Sequence, residues 1–200
     1  MANCPNCGDR LPQRFDAALM AVCDSCHSTV YRVDGRLLTA GLAGEMHEAP
    51  MLADLNSRLR IGTEWLDVAG HARFSYGPGW WDELWAVRPD GTGRWVSIDE
   101  GDVVVQDRLE TPAGPMPQRP ALGLRLSWRG QPFTATEIDT GRCVALRGVF
   151  PERLAIDDRF GYVNLSSAGG ALLSAETHAG TTDWFAGHWL DPFTLEVKRR

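Results

Sequence analysis

Two Cys-x-x-Cys pairs, Cys4-Pro5-Asn6-Cys7 and Cys23-Asp24-Ser25-Cys26, lie fifteen residues apart. This spacing is that of a single tetrahedral Cys₄ metal site. Four thiolates around one ion leave no open coordination position, so the expected role is structural. Zn²⁺ is the expected ion. Iron in a rubredoxin-like electron carrier is the lesser alternative, and a redox-active dithiol pair the least. His27, directly after Cys26, reads as an ordinary exposed residue and not as a ligand. Residues 1–39 therefore read as a zinc ribbon, each cysteine pair forming a tight knuckle. Asp34-Gly35 predicts a type I′ turn joining Thr29–Val33 to Arg36–Thr39 as a hairpin. So small a unit cannot build a sufficient core, and metal binding would supply roughly 10–16 kcal/mol of its apparent folding free energy.

Residues 40–57, with Gly41, Gly44 and Pro50 and no sustained apolar period, read as a linker with a short helical turn near Met51–Leu55. Residues 58–200 read as β-rich. Leu124–Arg129 alternates apolar and polar side chains, the signature of a half-buried strand. Further predicted strands are Glu64–Ala69, Ala72–Tyr76, Trp80–Arg88, Arg94–Ile98, Asp102–Gln106, Phe133–Ile138, Cys143–Arg147, Phe160–Leu165, Ala171–Glu176 and Asp183–Leu190. Turn signals recur at Gly77-Pro78-Gly79, Pro89-Asp90-Gly91, Asp139-Thr140-Gly141 and Gly169-Gly170. Many short strands with regular turns predict a mainly β chain: the ribbon followed by an antiparallel β-sandwich or barrel-like domain. Four prolines between Pro112 and Pro120 predict an extended connection dividing the β region into halves 58–109 and 121–197. Trp65–Gly70–Phe74 and Trp128–Gly130–Phe133 hint at a repeated strand–turn–strand opening of those halves.

Among 200 residues, 26 are acidic and 20 basic, a formal net charge of −6. That balance argues against general nucleic-acid binding, which needs a basic face. No apolar run reaches the length of a membrane span, so no membrane insertion is expected. Cysteines in metal-type pairs point to a reducing compartment, and the N-terminus shows no secretory pattern; the expected location is the cytoplasm.

The stretch Gly79-Trp80-Trp81-Asp82-Glu83-Leu84-Trp85 is the second informative feature. Trp80, Trp81 and Trp85 with Glu83 can line a site for a cationic ligand, because indole faces attract cations and carboxylates neutralise them. Core filling is the simpler reading, with Trp81, Glu83, Trp85 and Val87 on one face. Glu83 then needs a partner, and Arg73 or Arg94 is the expected one. No catalytic constellation is visible. Cys143 sits in an apolar run, Ser166-Ser167-Ala168-Gly169-Gly170 lacks a nucleophile-elbow pattern, and the histidines show no metal-protease spacing.

Leu59-Arg60-Ile61-Gly62, Trp81-Asp82-Glu83, Arg94-Trp95-Val96-Ser97, Phe160–Leu165 and Trp184–Leu190 together resemble the bacterial domain-of-unknown-function 4178 family, over about Leu59 to Val197. Asn164 stands where that family often has Asp. The resemblance implies that the zinc ribbon is a frequent companion of the domain. It also implies bacterial genes near aminopropyltransferases of polyamine synthesis and membrane-stress proteins, and it carries over no catalytic residues. The expected function is a non-catalytic, cytoplasmic, zinc-binding interaction or adaptor protein with protein partners. The alternative is a polyamine-binding or polyamine-modifying module using Trp80–Trp85 with Asp99, Glu100 and Asp102. A nucleic-acid-binding ribbon is the second alternative.

Overall fold

The computed structural model describes residues 2–199. Its strands are β1 (Met20–Val22), β2 (Ser28–Val33), β3 (Arg36–Leu42), β4 (Arg58–Ile61), β5 (Glu64–Ser75), β6 (Trp80–Val87) and β7 (Gly93–Asp99). They continue with β8 (Asp102–Arg108), β9 (Arg125–Trp128), β10 (Gln131–Phe150), β11 (Arg159–Ser166), β12 (Ala171–His178), β13 (Thr181–Leu190) and β14 (Glu196–Lys198). All pairings between them are antiparallel.

The sheet runs in the order β5-β6-β7-β8-β13-β12-β11-β10, and β10 then pairs with β5. Eight strands thus close into an antiparallel barrel. Closure removes the exposed strand edges that an open sheet would present for aggregation. It depends on sharp bends in the two longest strands. Register shifts fall between Val68 and Gly70 on β5 and between Cys143 and Ala145 on β10. Where these strands cross, Gly148 has φ +82°, and a Cβ on it would collide with the Ala69 carbonyl. A glycine is required there by both backbone conformation and space.

Alternate residues point into and out of such a barrel, and here both faces are buried. Outward-facing Leu84, Ala86, Val96, Ile98, Val103 and Val105 are covered by β4, β14 and the stretch around Met51 and Ala53. On the opposite side, Val163, Leu165, Leu173, Ala175 and Trp184 lie beneath β9 and the connection containing Leu109, Ala113 and Met116. The inward face carries Phe74, Trp81, Trp95, Phe160, Tyr162 and Phe185.

The ribbon joins the barrel through shared sheet: β1 pairs with the C-terminal end of β10, Met20 opposite Phe150 and Ala21 opposite Val149. Asp34 and Gly35 adopt φ +47° and +73°, the I′ turn expected from Asp-Gly, and β2 and β3 pair across it. Arg129-Gly130, with φ +50° and +78°, makes the equivalent turn between β9 and β10.

Several sequence expectations differ from the structure. The two predicted strands Glu64–Ala69 and Ala72–Tyr76 are one strand with a bulge. Phe133–Ile138 and Cys143–Arg147 are likewise parts of one 20-residue strand. Asp139-Thr140-Gly141 forms no turn, because these residues pair with Tyr162, Gly161 and Phe160. Turn-type residues there serve curvature. Trp65, Gly70 and Phe74 all lie within β5, whereas Trp128, Gly130 and Phe133 span a hairpin, so the two segments are not structurally equivalent. Met51–Leu55 contains no helical turn.

Candidate functional site

Two places concentrate chemistry, and the first is the cysteine cluster. Each knuckle folds the same way: Gly8 N–H donates to Cys4 O at 2.8 Å and His27 N–H to Cys23 O at 2.9 Å. Gly8 and His27 occupy equivalent positions four residues after the first cysteine and both have positive φ, +80° and +56°. Sγ of Cys4 lies 3.7 Å from Sγ of Cys26, and Sγ of Cys7 lies 3.7 Å from Sγ of Cys23. A tetrahedron with metal–sulfur bonds of about 2.3 Å places its sulfurs about 3.8 Å apart, so the cysteines fit one metal ion. All four sulfurs lie within 4.8 Å of one another. The Ser28 hydroxyl, 3.4 Å from Cys26 Sγ and itself held by Asn6 Nδ2, brings that thiol down to about 5. The thiols of Cys7 and Cys23 are shifted the opposite way, each raised by its cysteine neighbours or by burial. His27 is exposed and lies outside the cluster.

The second place is the barrel lumen. A cavity of about 160 Å³ is lined by Phe74, Glu83, Trp95, Gln106, Cys143, Phe160, Glu176 and Phe185, and by the rim groups Glu152, Arg153, Leu154, Ala155, Asp158, His178 and Asp183. A smaller one of about 80 Å³ lies among Trp81, Glu83, Ser97, Asp99, Asp102, Val104, Gln106, Glu137, Phe160, Tyr162, Asn164, Leu172, Ser174, Glu176 and Trp189. Glu83, Gln106, Phe160 and Glu176 line both and form the waist between two chambers.

Glu83 is the central group. It is buried and accepts hydrogen bonds from Trp81 Nε1 at 3.1 Å and Ser97 Oγ at 3.2 Å. Neither donor carries charge. The arginines expected to neutralise it are engaged elsewhere. Arg73 projects to the outside of the barrel, pairing with Asp82 at 2.8 Å and donating to His47 O at 2.7 Å. Arg94 forms a two-pronged pair with Asp107, both contacts at 2.8 Å. The reason is parity: β5 and β6 turn Arg73 and Asp82 to the face opposite Glu83, an assignment the bulge at Val68–Gly70 decides. Burial, reinforced by the nearby Glu176 charge, pushes Glu83 up to about 8.

Other carboxylates share this bias. Burial raises Glu152 and Asp99 above the usual carboxylate range, and Asp99 Oδ1 is buried with no hydrogen-bond partner among the described residues. Tyr162 donates to Glu137 at 2.8 Å, as does Asn164 Nδ2, and burial together with that carboxylate raises the phenol. His178 stacks on Phe160 at 4.8 Å and sits 3.4 Å from Asp158 and 3.9 Å from Glu176. The Glu176 contact raises its pKa despite partial burial. The second chamber contains five carboxylates and no basic side chain; the first contains five against Arg153 and His178.

The four residues singled out in the tryptophan stretch are thus divided. Trp81 and Glu83 line the lumen. Trp85 packs against Trp95 at 5.2 Å at the barrel wall, and Trp80 is half exposed on the outside, with the Arg73 guanidinium 5.5 Å from its ring centre. Asp99 and Asp102 join the second chamber, while Glu100 faces an outer groove with Trp80. Glu176, Glu152, Gln106 and Tyr162 belong to the site but were not singled out from sequence. The usable signal was inward parity on β8, β11 and β12, which is informative only once closure is known.

Burial pushes the Cys143 thiol up to about 12, which suppresses it as a nucleophile. Among the described residues, only the four cysteines bring three or more metal-type ligand atoms within 4.8 Å of one another. The lumen carboxylates are spread along the barrel instead of converging. No helix among the described residues is long and apolar enough to cross a membrane.

Neither a curated protein nor a solved structure matches this chain. The model of a domain of unknown function, DUF4178, matches residues 54–192, which span the barrel and leave the cysteine cluster outside. The chain belongs to the DUF4178 family.

Proposed function

We propose that the barrel is a non-catalytic binding module for a linear polyamine held within the lumen. The observation that carries this reading is Glu83, a buried carboxylate with Glu176 nearby and no cationic side chain hydrogen-bonded to it. Burying an unpaired carboxylate is costly, and the protein meets that cost by favouring the protonated acid. A ligand ammonium supplies the missing counter-charge. Aromatic rings of Trp81, Trp95, Phe160 and Tyr162 around the lumen offer faces to methylene spacers and cations alike. Distributed carboxylates suit several ammonium groups on one chain better than a single divalent ion, which wants convergent oxygens.

The metal fitted by the cysteines is a structural Zn²⁺ in this reading, and the expected compartment is the cytoplasm, where the thiols stay reduced. Calorimetric titration of the zinc-loaded chain with spermidine, putrescine and Mg²⁺ tests the proposal. Spermidine should bind, Mg²⁺ should not displace it, and Glu83→Gln should weaken it by about tenfold or more. No heat from millimolar spermidine would remove the reading.

The adaptor reading has one observation in its favour: Phe193, at a turn capped by Asp191, is 98% exposed. A native pull-down that recovers the same partner with wild type and with Phe193→Ser counts against that residue as a docking point.

A further inference from the structure

The segment 151–158 connects β10 to β11 and supplies Glu152, Arg153, Leu154, Ala155 and Asp158 to the first chamber. Its two ends are tied to the barrel. Glu152 pairs with Arg108 at 3.2 Å, and Cys143 exchanges backbone hydrogen bonds with Asp157 and Asp158 at 2.9 and 3.0 Å. Its middle is tied to the ribbon. Tyr31 Oη on β2 donates to Leu154 O at 2.6 Å, Leu154 N–H approaches Met20 Sδ on β1 at 3.4 Å, and the Arg153 guanidinium lies 5.3 Å from the Tyr31 ring centre. Leu154 and Ile156 pack against the cluster containing Met20, Val22 and Tyr31.

Those ribbon groups are only a few residues from the cysteines. Cys23 follows β1 directly, and Cys26 precedes β2 by two residues. The knuckle between them is closed by Cys23 N–H to Ser28 O and His27 N–H to Cys23 O, both 2.9 Å. Beyond β3 no further strand supports this hairpin. β1 is held on its other edge by β10, with Met20 opposite Phe150, so a metal ion binding Cys23 and Cys26 acts on the free side of the hairpin, tightening β2 against β1 and with it the position of Tyr31.

We propose that metal occupancy of the ribbon controls the segment that closes the first chamber, so that metal binding and ligand binding in the lumen are coupled. This rests on the lumen being a ligand site, and it adds a means of regulating it. With the metal bound, Tyr31 and Met20 hold Leu154 in place and the Glu152 and Asp158 carboxylates stay at the rim. Without it, β2 loosens from β1, which β10 still holds, the Tyr31 tether to Leu154 is released and the chamber loses part of its wall. Because the coupling is a free energy, it is reciprocal: a ligand in the lumen strengthens metal retention by the same factor.

The test uses the full chain, zinc-loaded and chelator-stripped, together with zinc-loaded Tyr31→Phe, which keeps the ring and deletes the hydrogen bond to Leu154. Amide exchange at residues 153–156 should quicken by about fivefold in Tyr31→Phe, in line with one net hydrogen bond, and by more on stripping. Strand β7 should keep its protection in both. Spermidine affinity should fall by a similar factor, and spermidine should slow zinc loss to a chelator. Unchanged exchange at 153–156 in both preparations overturns the proposal, and so does equal acceleration in β7, which would signal global unfolding. If zinc-loaded protein binds no spermidine, the polyamine reading falls, while the exchange experiment still decides whether the metal controls the segment.

Discussion

The ribbon and the barrel solve the problem of stability in opposite ways. The ribbon gathers few buried side chains, chiefly Leu11, Phe15, Ala21 and Val30 around Cys4 and Cys23, and leaves most of β3 exposed. Its four cysteines are placed to hold one metal ion. The barrel buries both faces of its sheet, with separate apolar layers outside and an aromatic layer inside. Its interior carries Glu83, whose hydrogen-bond donors are both neutral, and Asp99, whose Oδ1 has no hydrogen-bond partner among the described residues. Chemistry conspicuous in sequence thus sits in the smaller unit, while the buried acids sit where an extensive surrounding core can hold them.

The largest expected effect follows from removing the metal. Cys23→Ser or chelation should cost the ribbon most of a free energy of roughly 10–16 kcal/mol, read as loss of amide protection over residues 4–42 with β6–β8 retained. Collapse of both together would break the contrast. Next, Leu84→Ala on the fully buried outer face of β6 should lower barrel stability by about 2–5 kcal/mol in urea unfolding, with metal affinity unchanged.

Third comes the pH dependence of Glu83. Its folded value of about 8 exceeds the ordinary 4.5, so the folded state holds its proton more tightly than the unfolded chain. Stability from this group is fully present below about pH 4.5 and is lost as pH rises through 8. Glu83→Gln should therefore be more stable than wild type at pH 9, by at most about 5 kcal/mol, and nearly equal at pH 4.5. A wild-type unfolding curve that is flat between pH 5 and 9, after the other titrating groups are matched in the variant, would remove the claim that Glu83 is uncompensated. The smallest effect belongs to the surface pair of Arg94 and Asp107: Arg94→Ala should change stability by at most about 1 kcal/mol.

The legible part of this protein was local. The cysteine spacing specifies a metal geometry that the sulfurs reproduce, Asp34-Gly35 specifies its turn, and the alternation Leu124–Arg129 marks a strand of which β9 occupies Arg125–Trp128. The prolines between Pro112 and Pro120 likewise mark a stretch without strand. Misreadings arose where local chemistry was overruled from a distance. Asp139-Thr140-Gly141 looks like a turn, yet Gly141 lies in a strand where a Cβ would stand 2.6 Å from the Trp81 ring. Glycine is there for the neighbour across the lumen.

By itself, the sequence determined a Cys₄ cluster with the spacing of a metal site and a mainly β chain, because each depends on residues close together in the chain. Only the tertiary structure decided that the sheet closes, that Glu83 and Glu176 both line the waist, with neutral donors alone hydrogen-bonded to Glu83, and that Tyr31 reaches Leu154 across 123 positions. Closure arises from the pairing of β5 with β10, between residues about seventy positions apart. No short-range pattern encodes which face of a strand such a long-range pairing turns inward.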